Sequence, residues 1–288
     1  LPVTYKTIPG PSLTLTESTI FAGTDAKKGV PVQIESVRGV HEVVIYRIEN
    51  GSEVEALRET KNGEHTLNYA PEIDFTEATS KLKVVVSDGR EGKEAIGYMK
   101  AYVNMDVATL NVGSQPLANN AHVKYPDAFG MVSLNDLKTY SVDYAIANEV
   151  NAKNVDFKFY CFGASGSPRL YSMDNTGKDG EFSGSTGKLS AIKVKNLTRF
   201  AILSNFDYEN ATVASISSEI LSSSIAQSLQ DPIAVGNVIA FRTGGSSAAG
   251  GGRIGVMKVI NITEPKELVS NNATARVMTV EIKFPKKK

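Results

Sequence analysis

Apolar and polar residues alternate with a period of two along much of the first hundred residues. The alternation is clearest in VPVQIES at 30–36, VHEVVIYRIE at 40–49, KLKVVVSD at 81–88 and EAIGYMKAYVNM at 94–105. The second of these segments ends at Asn50-Gly51 and the last two flank Gly-Arg-Glu-Gly, which are connections typical of β-hairpins. The pattern predicts an antiparallel, immunoglobulin-like β-sandwich over residues 13–106, after an extended lead-in at residues 1–12.

Residues 107–123 interrupt this pattern and are rich in Asn, Ala and Ser. The change in composition predicts a linker between two domains. Strand patterns then resume, and we predict a second, jelly-roll-like β-sandwich over residues 124–288. Its predicted strands are GMVSL at 130–134, NVDFKFYCFG at 154–163, KLSAIKVKN at 188–196, NVIAFRT at 237–243, RIGVMKVINIT at 253–263 and ARVMTVEIKF at 275–284.

One segment of the second domain, residues 210–232, has a helical period instead. Its apolar side chains recur at Val213, Ile216, Ile220, Ile225 and Leu229. Asn210 is suited to cap the start of a helix, and Pro232 lies past its end. The predicted fold class is therefore mainly all-β, with two sandwich-type domains of which the second carries one short helix.

Composition limits the classes of function. The 288 residues include 31 basic and 31 acidic side chains, a net charge of zero, whereas a nucleic-acid-binding protein normally has a basic excess. The single cysteine, Cys161, allows no internal disulfide and no multi-cysteine zinc site. We therefore expect no nucleic-acid partner, no cofactor and no bound metal.

The stretch AAGGGRIGVMKV contains the spacing G-x-G-x-x-G at Gly250, Gly252 and Gly255. In a dinucleotide-binding fold a helix follows these glycines, and its N-terminus holds the pyrophosphate. Here the residues that follow alternate and are rich in β-branched side chains, so they predict a strand. We interpret residues 244–252 as a long, flexible hairpin connection and not as a nucleotide site.

Two further motifs are incomplete. GSTGKLS at 184–190 lacks both the earlier glycine and the hydroxyl residue directly after Lys188 that a phosphate-binding loop requires. A second stretch, DNTGKDGE, clusters oxygen ligands at Asp174, Asn175, Asp179 and Glu181. Because Lys178 occupies a position where calcium loops place a ligand, a solvated turn is favoured over a calcium site.

Two segments of the second domain carry a resemblance. GMVSLNDLKTYSVDYAIANEVNAKNVDFKFYCFG at 130–163 and GNVIAFRT with GRIGVMKVINI at 236–262 are similar to recurrent segments of exported lipoproteins of Bacteroidetes, often preceded by an immunoglobulin-like domain. The chain departs from that family in its long loop at 244–252. The resemblance implies a protein of the cell envelope, at the outer-membrane surface or in the periplasm. It also implies peripheral membrane association through an N-terminal lipid anchor that was removed, and the start at Leu-Pro instead of Met fits this expectation.

These observations predict a non-catalytic cell-surface binding protein, a monomer that captures polysaccharide. One alternative is a structural or adhesive module that binds other surface proteins, and a weaker one is a hydrolase whose site the sequence does not reveal. The 11 tyrosines can stack on sugars, although the chain has no tryptophan, the side chain best suited to that role. The resemblance transfers no catalytic residues.

The candidate ligand-binding segment is SPRLYSMDN at 167–175. Tyr171 offers an aromatic face, Arg169 a forked donor, and Asp174 and Asn175 acceptors for pairs of hydroxyl groups. The alternative is that the apolar and aromatic residues of this segment pack into a sheet while its polar residues are solvated.

Overall fold

The computed structural model describes residues 7–219, 226–229, 232–268 and 271–287. Contacts divide these residues into two compact units, one within residues 7–105 and 210–215 and the other within residues 106–209 and the described part of 216–287. Strands far outweigh helices among the described residues, with several β-sheets and three short α-helices. The predicted fold class, mainly all-β with sandwich-type domains, is confirmed.

The first unit is a β-sandwich. Its strands are β1 Ser12–Leu15, β2 Thr19–Ala22, β3 Lys28–Gly29, β4 Val32–Glu35, β5 Glu42–Glu49, β6 Ser52–Thr60, β7 Thr66–Tyr69, β8 Glu72–Ile73, β9 Thr79–Ser87 and β10 Glu94–Val103. Sheet β1-β4-β7 and sheet β2-β10-β9-β5-β6 share one core, and β3 pairs with β8. The core is aliphatic because alternate residues of each strand face inwards, among them Ile34, Val43, Ile45, Leu82, Val84 and Met99.

The predicted hairpins of this unit are present. β5 and β6 pair in antiparallel fashion across Asn50-Gly51, and β9 pairs likewise with β10. Asn50 has φ 51° and Gly51 has φ 83°, both in the left-handed region that a two-residue hairpin turn of type I′ needs. The local sequence was therefore sufficient to predict this turn.

The second unit contains two five-stranded sheets. Strands β11 Met105–Gly113, β20 Val277–Pro285, β19 Ile254–Ile262, β18 Val238–Arg242 and β16 Arg199–Leu203 form one sheet in that order. Strands β13 Lys138–Tyr140, β12 Met131–Ser133, β14 Phe157–Phe162, β15 Ser167–Ser172 and β17 Ser228–Leu229 form the other. Side chains from both sheets make one apolar core, so this unit is also a sandwich.

A second layer covers the outer face of the β14 sheet. It contains α1 Val142–Ala147, α2 Glu149–Lys153 and two 3-10 turns, Asp179–Glu181 and Leu189–Ala191. Because side chains alternate along β14, Phe157, Phe159 and Cys161 face the sandwich core, while Tyr160 belongs to the cluster beneath this layer. The outer face of β14 and β15 is therefore the face on which a site is built.

The described helices differ from the predicted helix. The neighbouring helices α1 and α2 are each capped by a short polar side chain, as Ser141 accepts from Tyr144 N at 3.1 Å and Asn148 accepts from Asn151 N at 2.9 Å. They are too short to give a helical period in the sequence, and the sequence analysis does not predict them.

The helix predicted within residues 210–232 is shorter than expected. Helix α3 spans Val213–Glu219. Its cap is Thr212 instead of Asn210, because Thr212 Oγ1 accepts from Ser215 N while Ser215 Oγ accepts from Thr212 N. Residues 228–229 form strand β17 by pairing with β15, and the predicted positions at 220–225 and 230–231 lie outside the described residues.

Two other predicted segments are also corrected. Residues 107–113, part of the predicted linker at 107–123, form most of β11 because Leu110 and Val112 are buried in the sandwich core. Residues 188–196 form no strand, since the buried apolar residues there, Leu189 and Ile192, lie three apart, which suits a 3-10 turn.

Candidate functional site

The four residues predicted to bind a ligand do not form a site together. Tyr171 is 4% exposed, and its ring packs edge-on against that of Tyr160 with the centroids 5.3 Å apart. It offers no free face to a sugar, because the layer over the β14 sheet covers it. The alternative stated for this segment, that its apolar and aromatic residues pack in a sheet, describes Tyr171 correctly.

The predicted acceptors are occupied within the protein. Asp174 receives two hydrogen bonds from Arg199, at 3.0 and 2.9 Å. Burial acts to raise the pKa of Asp174, but these bonds hold it below its ordinary value. The backbone oxygen of Asn175 accepts from Lys158 Nζ at 2.9 Å, and its side-chain oxygen accepts from Gly177 N at 3.4 Å. Both residues therefore hold the turn after β15 in place.

Arg169, the remaining predicted residue, lies beside a groove that the sequence does not reveal. Its guanidinium carbon is 4.1 Å from the ring centroid of Phe162. The register places Arg169 opposite Tyr160 and Ser167 opposite Phe162, so Arg169 and Phe162 are diagonal neighbours on one face of the sheet.

The groove has a volume of about 640 Å³ and lies at the end of β14. We call it the Phe162 groove, and its lining includes Tyr160, Phe162, Lys178, Glu181, Asn272 and Thr274. Phe162 is 40% exposed, a large fraction for an aromatic side chain on a sheet. It is exposed because it is the last residue of β14, where the covering layer ends.

A linked set of polar side chains forms one wall. Lys178 Nζ lies 2.9 Å from Glu181 Oε1, and Tyr160 Oη donates to Glu181 Oε2 at 2.6 Å. Burial, together with the hydrogen bond to Glu181, raises the pKa of Tyr160 to about 12. Burial acts in the same direction on Glu181, but the bonds from Tyr160 and Lys178 lower its pKa. Glu181 is thus an ionised acceptor at neutral pH, and Tyr160 keeps its proton.

The other walls are held by hydrogen bonds of the Gln115 and Asn272 side chains. Gln115 donates to the carbonyl of Cys161 at 2.8 Å and accepts from its amide at 3.0 Å, which continues the sheet beyond its last strand pair. Asn272 Oδ1 accepts from the amide and the hydroxyl of Thr274, at 3.0 and 2.7 Å. These bonds form a turn that keeps polar atoms at the edge of the groove.

The turn after Phe162 is tightly packed. Gly166 has φ 62°, and a Cβ built there would lie 1.9 Å from the carbonyl oxygen of Ala273. Arg276 links the two segments, since it donates to Ala273 O and to Ser165 O at 3.3 Å each. The position of Phe162 relative to Asn272 is therefore determined by packing and not by a free loop.

Cys161 is next to the groove but is not a nucleophile at neutral pH. Its side chain is completely buried, and burial raises the pKa of the thiol to about 12. Within the described parts of the chain, no three His, Cys, Asp or Glu side chains are grouped so that they could hold a metal ion. In the same residues, no helix is long and apolar enough to cross a membrane.

No family model matches the chain, and no curated protein matches it.

The glycine-rich loop at 244–252 connects β18 to β19, as predicted, but it is packed against the rest of the second unit, to which it belongs. Ala249 is 2% exposed and belongs to the sandwich core, and Ala248 N donates to Lys153 O at 2.8 Å. Ser247 Oγ donates to Asp156 Oδ1 at 2.6 Å, and both residues are buried. The expectation of a flexible connection is corrected, because the loop buries polar and apolar groups that fix its shape.

The GSTGK segment holds a carboxylate of the protein itself. Asp143, at the start of α1, accepts from the amide of Thr186 at 3.0 Å and from that of Ser185 at 3.1 Å. Both hydroxyl groups and Asn119 also donate to it, and these bonds hold the pKa of Asp143 far below its ordinary value. The segment is thus a carboxylate-binding turn and not a phosphate-binding loop.

The oxygen ligands at 174–181 are separated by cations. Asp179 is 2% exposed and lies 2.8 Å from Nζ of the fully buried Lys158. Asp174 and Glu181 pair with Arg199 and Lys178. Carboxylates that are neutralised separately in this way do not converge on one point, as a calcium site requires.

Proposed function

We propose that this protein is a non-catalytic binding protein of the cell surface that captures polysaccharide in the Phe162 groove. The observation that supports this best is the partly exposed ring of Phe162 next to Lys178, Glu181, Asn272 and Thr274. An aromatic ring packs against the apolar C–H face of a sugar, while polar side chains around it bond to the hydroxyl groups. The groove offers both kinds of contact, the apolar one at the part of the Phe162 ring that Arg169 and Lys178 leave exposed.

The proposal includes a location in the cell envelope and a lipid-anchored precursor. It rests on the resemblance drawn above from residues 130–163 and 236–262, and the β-sandwich fold is compatible with it. A rigid β-scaffold with its binding residues at strand ends and in turns is suited to recognition, because the site needs little ordering when a ligand binds.

The test is binding of a panel of neutral and charged polysaccharides by isothermal titration calorimetry. We expect Phe162→Ala to weaken binding at least tenfold, since it removes the stacking surface. Phe21→Ala is the matched control, because Phe21 is 55% exposed and lies in the other unit. A wild-type protein that binds no polysaccharide, or one whose binding survives Phe162→Ala unchanged, would refute the proposal.

A second candidate function, adhesion to another protein, is favoured by the first unit. Phe21, Ile96 and Tyr98 are between 50% and 57% exposed. Ile96 and Tyr98 are two residues apart on β10, and Phe21 is opposite Tyr102 in the register with the rings 5.3 Å apart, so all four lie on one sheet face. An exposed aromatic and aliphatic face of this kind is typical of protein-binding surfaces.

The two candidates are separated by a crossed experiment. Adhesion through the first unit would be lost on Phe21→Ala with Tyr98→Ala and kept on Phe162→Ala, when binding to immobilised surface proteins is measured. Polysaccharide capture would give the opposite result with the same variants.

A further inference from the structure

We propose that the Phe162 groove selects acidic polysaccharides, and that Arg169 pairs with the anionic group of the bound sugar. This inference rests on the proposed capture of polysaccharide and adds the class of ligand. It depends on three observations: the partners that Arg169 lacks, the charges of the groove, and the position of its guanidinium against Phe162.

The guanidinium of Arg169 has no hydrogen-bond acceptor among the described residues. Its Nε is buried without a partner, and no described carboxylate lies within ion-pair distance of it. A guanidinium can donate five hydrogen bonds, and a buried donor without a partner is costly. Arg199, on a neighbouring part of the same unit, shows the contrast, because it is paired at two points with Asp174.

The charged side chains that line the groove are paired with each other, whereas Arg169 beside it is not. Lys178 is neutralised by Glu181 at 2.9 Å, and Arg276 is paired with Glu264 at 3.2 Å. The charged side chains that line the groove, Lys178 and Glu181, therefore neutralise each other, whereas Arg169, which lies beside the groove against Phe162, pairs with no described carboxylate. A ligand with a negative group is therefore attracted to this end of the groove, and a neutral ligand gains nothing from it.

The ring of Phe162 holds the guanidinium in a defined position. The distance of 4.1 Å between the guanidinium carbon and the ring centroid is that of a cation–π contact. A guanidinium held in this way loses less freedom when it binds an anion. Its planar fork matches the two oxygens of a carboxylate, and it also matches a sulfate ester. The sugar that we infer therefore carries either a carboxylate or a sulfate next to the face that stacks on Phe162.

The experiment compares ligands that differ only in charge. Polygalacturonate and its fully methyl-esterified form share one backbone, and dextran sulfate with dextran provides the sulfate arm. We expect wild-type protein to bind at least one acidic member about tenfold or more tightly than its neutral partner by calorimetry. That preference should fall when the salt concentration rises from 20 to 200 mM, because exposed charge pairs are screened.

Two variants assign the preference to Arg169. We expect Arg169→Gln to reduce acidic binding to the neutral level, whereas Lys193→Gln, which removes an exposed lysine of the same unit, should leave it unchanged. Circular dichroism and thermal melting establish that each variant is folded. If Arg169→Gln does not fold, Arg169→Lys, which keeps the charge but loses the fork, should retain the salt dependence and lose most of the affinity.

Each outcome decides between the two proposals. Equal affinity for acidic and neutral members, with both lost in Phe162→Ala, would overturn the inference and leave polysaccharide capture standing. An acidic preference that persists in folded Arg169→Gln would also overturn the inference. The absence of binding to all four polymers would count against the inference and against the proposed function together.

Discussion

The glycine-rich loop provides the sharpest test of the packing described above, through the substitution Ser247→Ala. The hydroxyl of Ser247 donates to Asp156 Oδ1 at 2.6 Å, and Asp156 Oδ2 accepts from Leu134 N at 2.8 Å. Removal of the hydroxyl leaves one oxygen of a buried carboxylate without its donor. A buried hydrogen bond to a charged group contributes about 1.5–3 kcal/mol, so we expect a loss of about 2 kcal/mol at pH 8.

The loss of stability caused by Ser247→Ala should depend on pH, because Asp156 changes its charge in the neutral range. Burial raises the pKa of Asp156 to about 6, above its value of about 3.9 in an unfolded chain. Because the folded chain resists ionisation of Asp156, the stabilisation from its raised pKa is full below pH 4. It is lost as the pH rises through 6, and the free energy of unfolding falls by about 3 kcal/mol in all. At pH 5 Asp156 is mostly neutral, and we expect Ser247→Ala to cost only about 1 kcal/mol there, the size of a neutral hydrogen bond.

The assay is urea unfolding of the full chain at pH 5 and pH 8, with hydrogen exchange of peptides from 130–162 to report on the second unit. Asp156→Asn is the control, because an amide keeps an acceptor for Leu134 N and can donate to Ser247 while it cannot ionise. In that background Ser247→Ala should cost the same at both pH values, and stability should vary less between pH 4 and 7. A loss below 0.5 kcal/mol at pH 8, or an equal loss at both pH values in the wild-type background, would refute this reasoning.

Three further substitutions or treatments test the surroundings of the groove. Gly166→Ala should destabilise the second unit by several kcal/mol in thermal melting, because its Cβ would overlap a carbonyl, whereas Gly163→Ala, with φ 69° and open space, should cost about 1 kcal/mol. Lys158→Met should cost about 3–5 kcal/mol in urea unfolding, since it leaves Asp179 buried without a cation, and Lys158→Met with Asp179→Leu should recover most of that loss. Cys161 should not react with iodoacetamide at pH 7.5 until the chain is unfolded, which mass spectrometry would show.

Several elements of the fold could be predicted from local sequence alone. The alternation in 40–49 and 94–105 predicts strands that are present as β5 and β10. Asn50-Gly51 predicts a tight hairpin because these residues adopt positive φ at little cost. Periodicity of this kind is a property of neighbouring residues, so it survives without knowledge of what packs against them.

The groove could not be predicted in this way. Its lining comes from four separate segments, near residues 115, 160–163, 178–183 and 272–274. A possible signal in the sequence is Phe162, an aromatic residue at the last position of a strand before a glycine. Nothing local shows that Lys178 and Asn272 lie beside it, because that proximity depends on how the turn at Gly166 packs against Ala273.

Tertiary structure also reversed two local interpretations. Tyr171 is the aromatic residue of the candidate binding segment, but the layer over the β14 sheet buries it, as the alternative for that segment describes. The loop at 244–252 has the composition of a flexible linker, yet Ser247 meets a carboxylate 91 positions away in the chain. Sequence determined strands with a clear alternation, such as β5 and β10, since that pattern is a property of neighbouring side chains, but it did not determine the structure of residues 107–113 and 188–196. Only the tertiary structure decided which polar groups are buried together and which aromatic ring stays exposed, because both depend on residues that are distant in the chain.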